Sequence, residues 1–196
     1  MSFYVAELWR YPVKSLAGER VSSSTLSPDG MAGDRIVRVR GPEGVRTSRR
    51  HYRLLGLRGT LDPHGRPLVD GHPWETDDAL ALVRKAAGAD AWLEAFEGLD
   101  RFDILPLLVA TDGGVDGLGE REWVEGELHI GEAIIRLDSL RSRCVMTTID
   151  PDTLRLDPEV LRDIVRRFEN KLALNAETVC GGTIRVGDSV ELVTKE

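Results

Sequence analysis

Cys144 stands between two arginines, Arg141 and Arg143, and a hydroxyl pair, Thr147 and Thr148, in the run RSRCVMTTIDPDT. Positive charge beside a thiol favours the thiolate, which is the form that attacks electrophiles and binds metals. The plain alternative is an inert core cysteine, because free cysteine is among the most commonly buried residue types. A second group of chemistry-bearing residues lies upstream. Residues 1–66 carry twelve Lys and Arg against six Asp and Glu, a balance of +6, whereas the remainder carries fourteen against twenty-seven, a balance of −13. Most of the upstream cations are arginines, among them Arg35, Arg38, Arg40, Arg46, Arg49 and Arg50. The planar guanidinium fork suits phosphate and carboxylate, so an anionic ligand on this first third is the functional expectation and a solvated charged face the plain one. The net charge of −7 argues against a general nucleic-acid binder.

The elements that must position these groups read as mainly β. FYVAELWRYPV begins as a strand and is punctuated by Pro12, which cannot donate to a ladder. ERVSSSTL and IVRVR alternate at strand period, with turns at Pro28–Gly30 and Gly41–Gly44 between them. Thr76 or Asp77 can cap a helix in which Leu80, Val83 and Ala87 recur, and Gly88 stops it. Phe102–Thr111 reads as a buried strand interrupted at Pro106, followed by a glycine-rich connection that lacks the lysine of a phosphate-binding loop. GELHIGEAIIRL and GTIRVGDSVELV read as two hairpins turning on a central glycine. Between them a second helix starts at Asp157 and Pro158, with Val160, Leu161, Ile164, Val165 and Phe168 on one face, expected to pack on the core.

Several function classes drop out. No apolar run approaches the ~20 residues of a membrane span, and the N-terminus lacks a basic segment followed by a long apolar one, so neither a membrane nor a secretory route is expected. Two distant cysteines, Cys144 and Cys180, suit a reducing compartment, read as the cytoplasm. Four histidines and two cysteines are spread without a ligand pair at zinc spacing. Cys180, before a Gly-Gly turn and without basic neighbours, reads as structural.

The cysteine run resembles the motif of the MOSC family, the molybdenum-cofactor sulfurase C-terminal domain, most closely its stand-alone members and the mitochondrial amidoxime-reducing component. YPVKS (Tyr11 to Ser15), GDR (Gly33 to Arg35) and, more loosely, TSRR (Thr47 to Arg50) resemble signatures of the β-rich domain that precedes MOSC in many members. The resemblance covers the whole chain and implies a mainly β, α+β fold. A MOSC N-terminal β-barrel-like domain would occupy residues 1–100 and an antiparallel β-barrel MOSC domain 101–196, with two or three helices packed outside. It implies that Cys144 is the protein ligand of molybdenum, that Ser142 helps hold the molybdopterin cofactor, and that Lys14, Ser15 and Arg35 contact its phosphate. It also implies a small-molecule substrate, N-hydroxylated or of N-oxide type. Electrons would come from a separate partner, because the chain carries no flavin, haem or iron–sulfur motif.

Two other classes follow from the same residues. Kinship with the sulfurase suggests a sulfur carrier with a persulfide on Cys144. A barrel that keeps the fold without the cofactor would be a binding module. Pyridoxal phosphate is not expected, since no lysine stands in a recognisable Schiff-base motif. One departure bears on all three. Close relatives carry an extra strand with Arg-Pro-Asn between the glycine-rich loop and a tryptophan like Trp123, and here the run is GLGEREW, Gly117 to Trp123. Either part of the pocket wall is lost, or a segment is missing between Gly119 and Glu120. The second alternative, which is the favoured one, predicts a break in the chain there.

Overall fold

A computed structural model describes residues 2–111 and 119–194. Its largest element is an antiparallel six-stranded sheet in the order Phe3–Tyr4, Ser189–Val193, Glu127–Ile130, Ala133–Ser142, Lys171–Cys180, Leu107–Val109. Glu127–Ile130 and Ala133–Ser142 form the expected hairpin, closing with Ile130 opposite Ala133 around Gly131 at φ 59. Leu128, Ile130, Ala133, Ile135 and Leu137 alternate into the core, as a strand with one buried face requires. That core is completed by Leu8, Leu26 and Met31 from the N-terminal part of the chain. A second core gathers Val13, Leu16, Val37, Val39, Leu54 and Val69 under the helix α1, Asp77–Ala87. The fold is therefore mainly β, as the sequence predicts. Two α-helices, α1 and α2 (Pro158–Phe168), accompany the strands among the described residues, and none is long and apolar enough to cross a membrane.

Four local expectations need correction. The first strand divides: Phe3–Tyr4 joins Ser189–Val193, whereas Leu8–Arg10 pairs with Glu19–Val21. The second glycine unit is a corner, not a hairpin. Gly182–Arg185 pairs with Ser23–Ser27, and Ser189–Val193 pairs with Phe3–Tyr4 and Glu127–Ile130. The physical reason is competition: Val186 N donates to Ser22 O at 2.9 Å, Gly187 N to Val5 O at 2.8 Å, and Val5 N to Asp188 O at 2.9 Å, so the N-terminal backbone satisfies the corner. Phe102–Thr111 yields only the strand Leu107–Val109, because Pro106 cannot join the ladder. The helix α2 keeps its predicted start, with Asp157 accepting from Glu159 N at 3.0 Å, but of its apolar stripe only Ile164 is fully buried.

The break expected between Gly119 and Glu120 is not found. Both belong to one 3-10 turn, Gly119–Trp123, and Glu120 is a fully buried side chain whose Oε2 accepts from Thr111 Oγ1 at 2.5 Å. The glycine-rich connection before it, 112–118, lies outside the described residues.

Candidate functional site

The strand Ala133–Ser142 delivers the cysteine. Its pairing with Lys171–Cys180 shifts register three times, the last between Leu140 and Ser142, which bends the strand end away from a regular ladder. Arg143 N then donates to Asn170 O at 2.9 Å, and Cys144 opens a 3-10 turn, Val145–Thr148. The hydroxyl pair explains why the turn holds. Thr147 directs both its N–H, at 3.0 Å, and its hydroxyl, at 2.7 Å, onto the Cys144 carbonyl, and Thr148 Oγ1 donates to Val145 O at 2.6 Å. Asp150 closes the loop by accepting from the backbone of Asp152 and Thr153. Cys144 itself is neither buried nor fully exposed.

The YPVKS and GDR segments lie side by side through backbone bonds: Arg35 N to Tyr11 O at 2.8 Å, Val37 N to Pro12 O at 3.2 Å and Lys14 N to Val37 O at 2.8 Å. Ser15 (φ 76) and Arg35 (φ 52) both adopt the left-handed conformation, which side-chain-bearing residues rarely take and which clusters at functional sites. Asp34 is the internal brace. It accepts from Tyr11 N at 2.7 Å and pairs with Arg35, and although burial is the larger influence and pushes its carboxyl up, the Arg35 charge opposes it. The Arg35 guanidinium also lies 5.5 Å from the centroids of both the Tyr11 and Phe102 rings.

The upstream cations meet the cysteine segment at two points. At the first, Asp103 pairs with Lys14 at 2.9 Å, Arg49 at 3.4 Å and Arg141 at 3.9 Å. Partial burial, the largest influence, pushes the Asp103 carboxyl up, but the Lys14 hydrogen bond and the three positive charges together hold it below the ordinary carboxylate range. Arg141 is aimed by the buried Asn175, whose Oδ1 accepts from its Nη1 at 3.1 Å. At the second point Tyr11 feels the charges of both Arg35 and Arg143. Burial raises its phenol, and both guanidiniums counter that. Arg143 in turn is pulled below its ordinary value by burial and by Arg141, with the Cys144 thiol and Tyr11 opposing. A third tie comes from the TSRR stretch, where Ser48 Oγ donates to Met146 Sδ at 3.3 Å, two residues past the cysteine.

Lys14 and Arg35 are thus linked to the cysteine segment through intermediaries, Asp103 for one and Tyr11 with Arg143 for the other. Ser15 is half-buried and Ser142 exposed, and among the described residues neither hydroxyl has a hydrogen-bond partner. Two surface hollows of about 420 and 510 Å³ are lined by other residues; the smaller begins at Val145 and Thr148. Sequence reasoning missed Asp103, Asp34, Tyr11 and Asn175. Asp34 and Tyr11 sit inside the quoted motifs and could have been singled out. Asp103 and Asn175 carry no local signal, since one interrupts an apolar run and the other lies in mid-strand.

The sequence matches the MOSC N-terminal beta barrel domain over residues 2–111 and the MOSC domain over residues 114–191. No curated protein matches. Among solved structures, the chain is similar to the YuaD protein from Bacillus subtilis, at 12% identity and a TM-score of 0.48, covering 100% of this chain and 98% of that one. It is also similar to a hypothetical protein at 14% identity and a TM-score of 0.42, covering 100% of this chain and 69% of that one.

Proposed function

The chain belongs to the MOSC family, which is associated with molybdenum-cofactor binding, and from that membership we propose that it holds this cofactor at the Cys144 turn and serves as an oxidoreductase. The observation that carries the reading is that the upstream motifs meet the cysteine segment: Lys14 and Arg141 share Asp103, and Ser48 Oγ donates to Met146 Sδ two residues past Cys144. These contacts bring the cationic motifs of one half to the cysteine segment of the other.

The residues present suit the group. Cys144 is only partly buried, and thiolates suit soft transition metals. Among the described residues the Arg143 Nε is buried without a partner, and an acceptor from a bound molecule would satisfy it. Lys14, Ser15 and Arg35 would hold the phosphate of the pterin, while Ser142 and Arg143 flank the metal ligand. When bound, molybdenum supplies two-electron oxygen-atom chemistry, fitted to N-hydroxylated or N-oxide-type small molecules, with electrons from a separate protein partner. The chain's own work is to fix the Cys144 backbone by the Thr147 bonds and to anchor the anion.

Metal analysis tests this. Protein made in cells with active cofactor synthesis is expected to contain stoichiometric molybdenum, and Cys144→Ser to lose it with the fold intact by circular dichroism. Absence of molybdenum from both proteins would sink the reading. A molybdenum-free protein whose Cys144 gains sulfur mass with a cysteine desulfurase would be a sulfur carrier instead.

A further inference from the structure

Asp103 differs from the other acidic side chain of the site in how it is held. Asp34 is almost wholly buried, accepts a backbone N–H and is part of the packing. Asp103 is 46% exposed at its side chain and, among the described residues, accepts from no backbone group; its partners are the side chains of Lys14, Arg49 and Arg141, which converge from three distant stretches. Among the described residues none of these three cations has another carboxylate partner. Oδ1 faces Lys14 and Oδ2 faces both arginines. The arginine distances of 3.4 and 3.9 Å are longer than those of a tight charge-assisted pair.

The charge is also unbalanced. Three cations around one carboxylate leave an excess of roughly +2, close to the charge of about −1.5 to −2 that a phosphate monoester carries at neutral pH. The carboxylate sits on a connector between the 3-10 turn Leu99–Arg101 and the strand Leu107–Val109, so moving it breaks no ladder or helix hydrogen bond.

We propose that Lys14, Arg49 and Arg141 form a phosphate seat in which Asp103 is the resident anion, so that an incoming phosphate group enters by displacing its carboxylate. The inference rests on the cofactor reading only for the source of the phosphate; the seat stands or falls with inorganic phosphate alone. Asp103 then acts as a placeholder that keeps the cations gathered and sets the threshold an incoming anion must exceed.

The test titrates inorganic phosphate into the full-length chain and its variants by calorimetry. Asp103→Asn removes the competing charge while keeping an acceptor for Lys14, and is expected to bind phosphate about tenfold more tightly than the unaltered chain or better. Arg49→Gln added to Asp103→Asn is expected to cancel that gain. Asp103→Ala is the second variant, expected to show the same gain. Folded variants at Asp103 that bind phosphate no better than the unaltered chain would overturn the proposal. So would loss of the fold in both, since that assigns Asp103 to structure. A parallel arm measures pterin retained after purification: a gain there as well as with inorganic phosphate identifies the seat with the cofactor's phosphate, and a gain with inorganic phosphate alone identifies it with free phosphate.

Discussion

The two helices are of the same length, eleven residues each, and both have an unmistakable apolar stripe, yet the molecule treats them differently. In α1 Val83 and Ala87 of the expected stripe are buried, Ala79 takes the place of the half-buried Leu80, and the three share one core with Val37, Val39 and Leu54. In α2 only Ile164 is, while Val160 and Val165 are 41% and 50% exposed, and Val165 borders, with Leu161, the hollow of about 420 Å³ that runs to Val145 beside the cysteine. Periodicity states which face of a helix is apolar; it does not state what lies opposite. α1 meets the 3-10 turn Tyr52–Gly56 and the strand Trp92–Ala95, and its core is completed by Val37 and Val39, whose neighbouring residues carry the cationic motifs. α2 meets a four-residue 3-10 turn, too short to cover two helical turns, and the strand Lys171–Cys180.

The contrast predicts, first and most strongly, the outcome of a charge at Val83. Val83→Asp places an unpaired carboxylate at a position with no solvent exposure, which costs about 4 kcal/mol or more. Because Val37 shares that core and its backbone carbonyl accepts from Lys14 N, the substitution is expected to loosen the cationic segment as well as to lower the stability. A urea-unfolding midpoint unchanged by Val83→Asp would mean that α1 is not packed as described.

The same reasoning explains what the sequence disclosed. The α1 boundaries follow from Thr76, whose hydroxyl accepts from Ala79 N, and from Gly88 at φ 114, a conformation that favours glycine. The hairpin at Gly131 was legible because its turn and alternation are both local. The corner at Gly187 carries the same pattern, and only the arrival of Val5 and Ser22 from the other end of the chain decides against a hairpin. At the site, Cys144, Lys14, Ser15, Arg35 and Ser142 were named from motifs whose spacing is local. The groups that link them were not, because Asp103 and Asn175 act through contacts 89 and 34 residues distant in the chain.

A smaller effect separates the C-terminal ends of the helices. Arg46 reaches across to α1, donating to Ala87 O at 2.6 Å and to Asp90 at 2.7 Å. That hydrogen bond, the leading cause, holds Asp90 below its ordinary value of 3.8. A carboxylate depressed in the folded state contributes stability above its unfolded pKa and loses it as the pH falls through the folded one. Arg46→Gln is therefore expected to lower stability modestly near neutrality and to flatten its decline below about pH 4. Identical acid slopes for the two proteins would remove this tie from the account. The end of α2 is tied differently: Arg121 Nη1 donates to Phe168 O at 3.5 Å and to Lys171 O at 2.8 Å, and Glu169 and Asn170 turn at φ 54 and 65 and return their N–H groups to Val165 and Ile164.

The smallest expected effect is the most discriminating. Val165→Asp introduces the same carboxylate as Val83→Asp into another apolar stripe, but at a half-exposed position where water can solvate the charge. Stability is expected to change by no more than about 0.5 kcal/mol. If instead it falls as far as with Val83→Asp, the stripe is covered in the functioning molecule, and the cover comes from outside the packing described. The two substitutions then separate two origins of an apolar face: one is apolar because it is core, the other because something apolar comes to rest on it. Measured together, their ratio decides which of these α2 is, since the chemistry introduced is the same and only the surroundings differ.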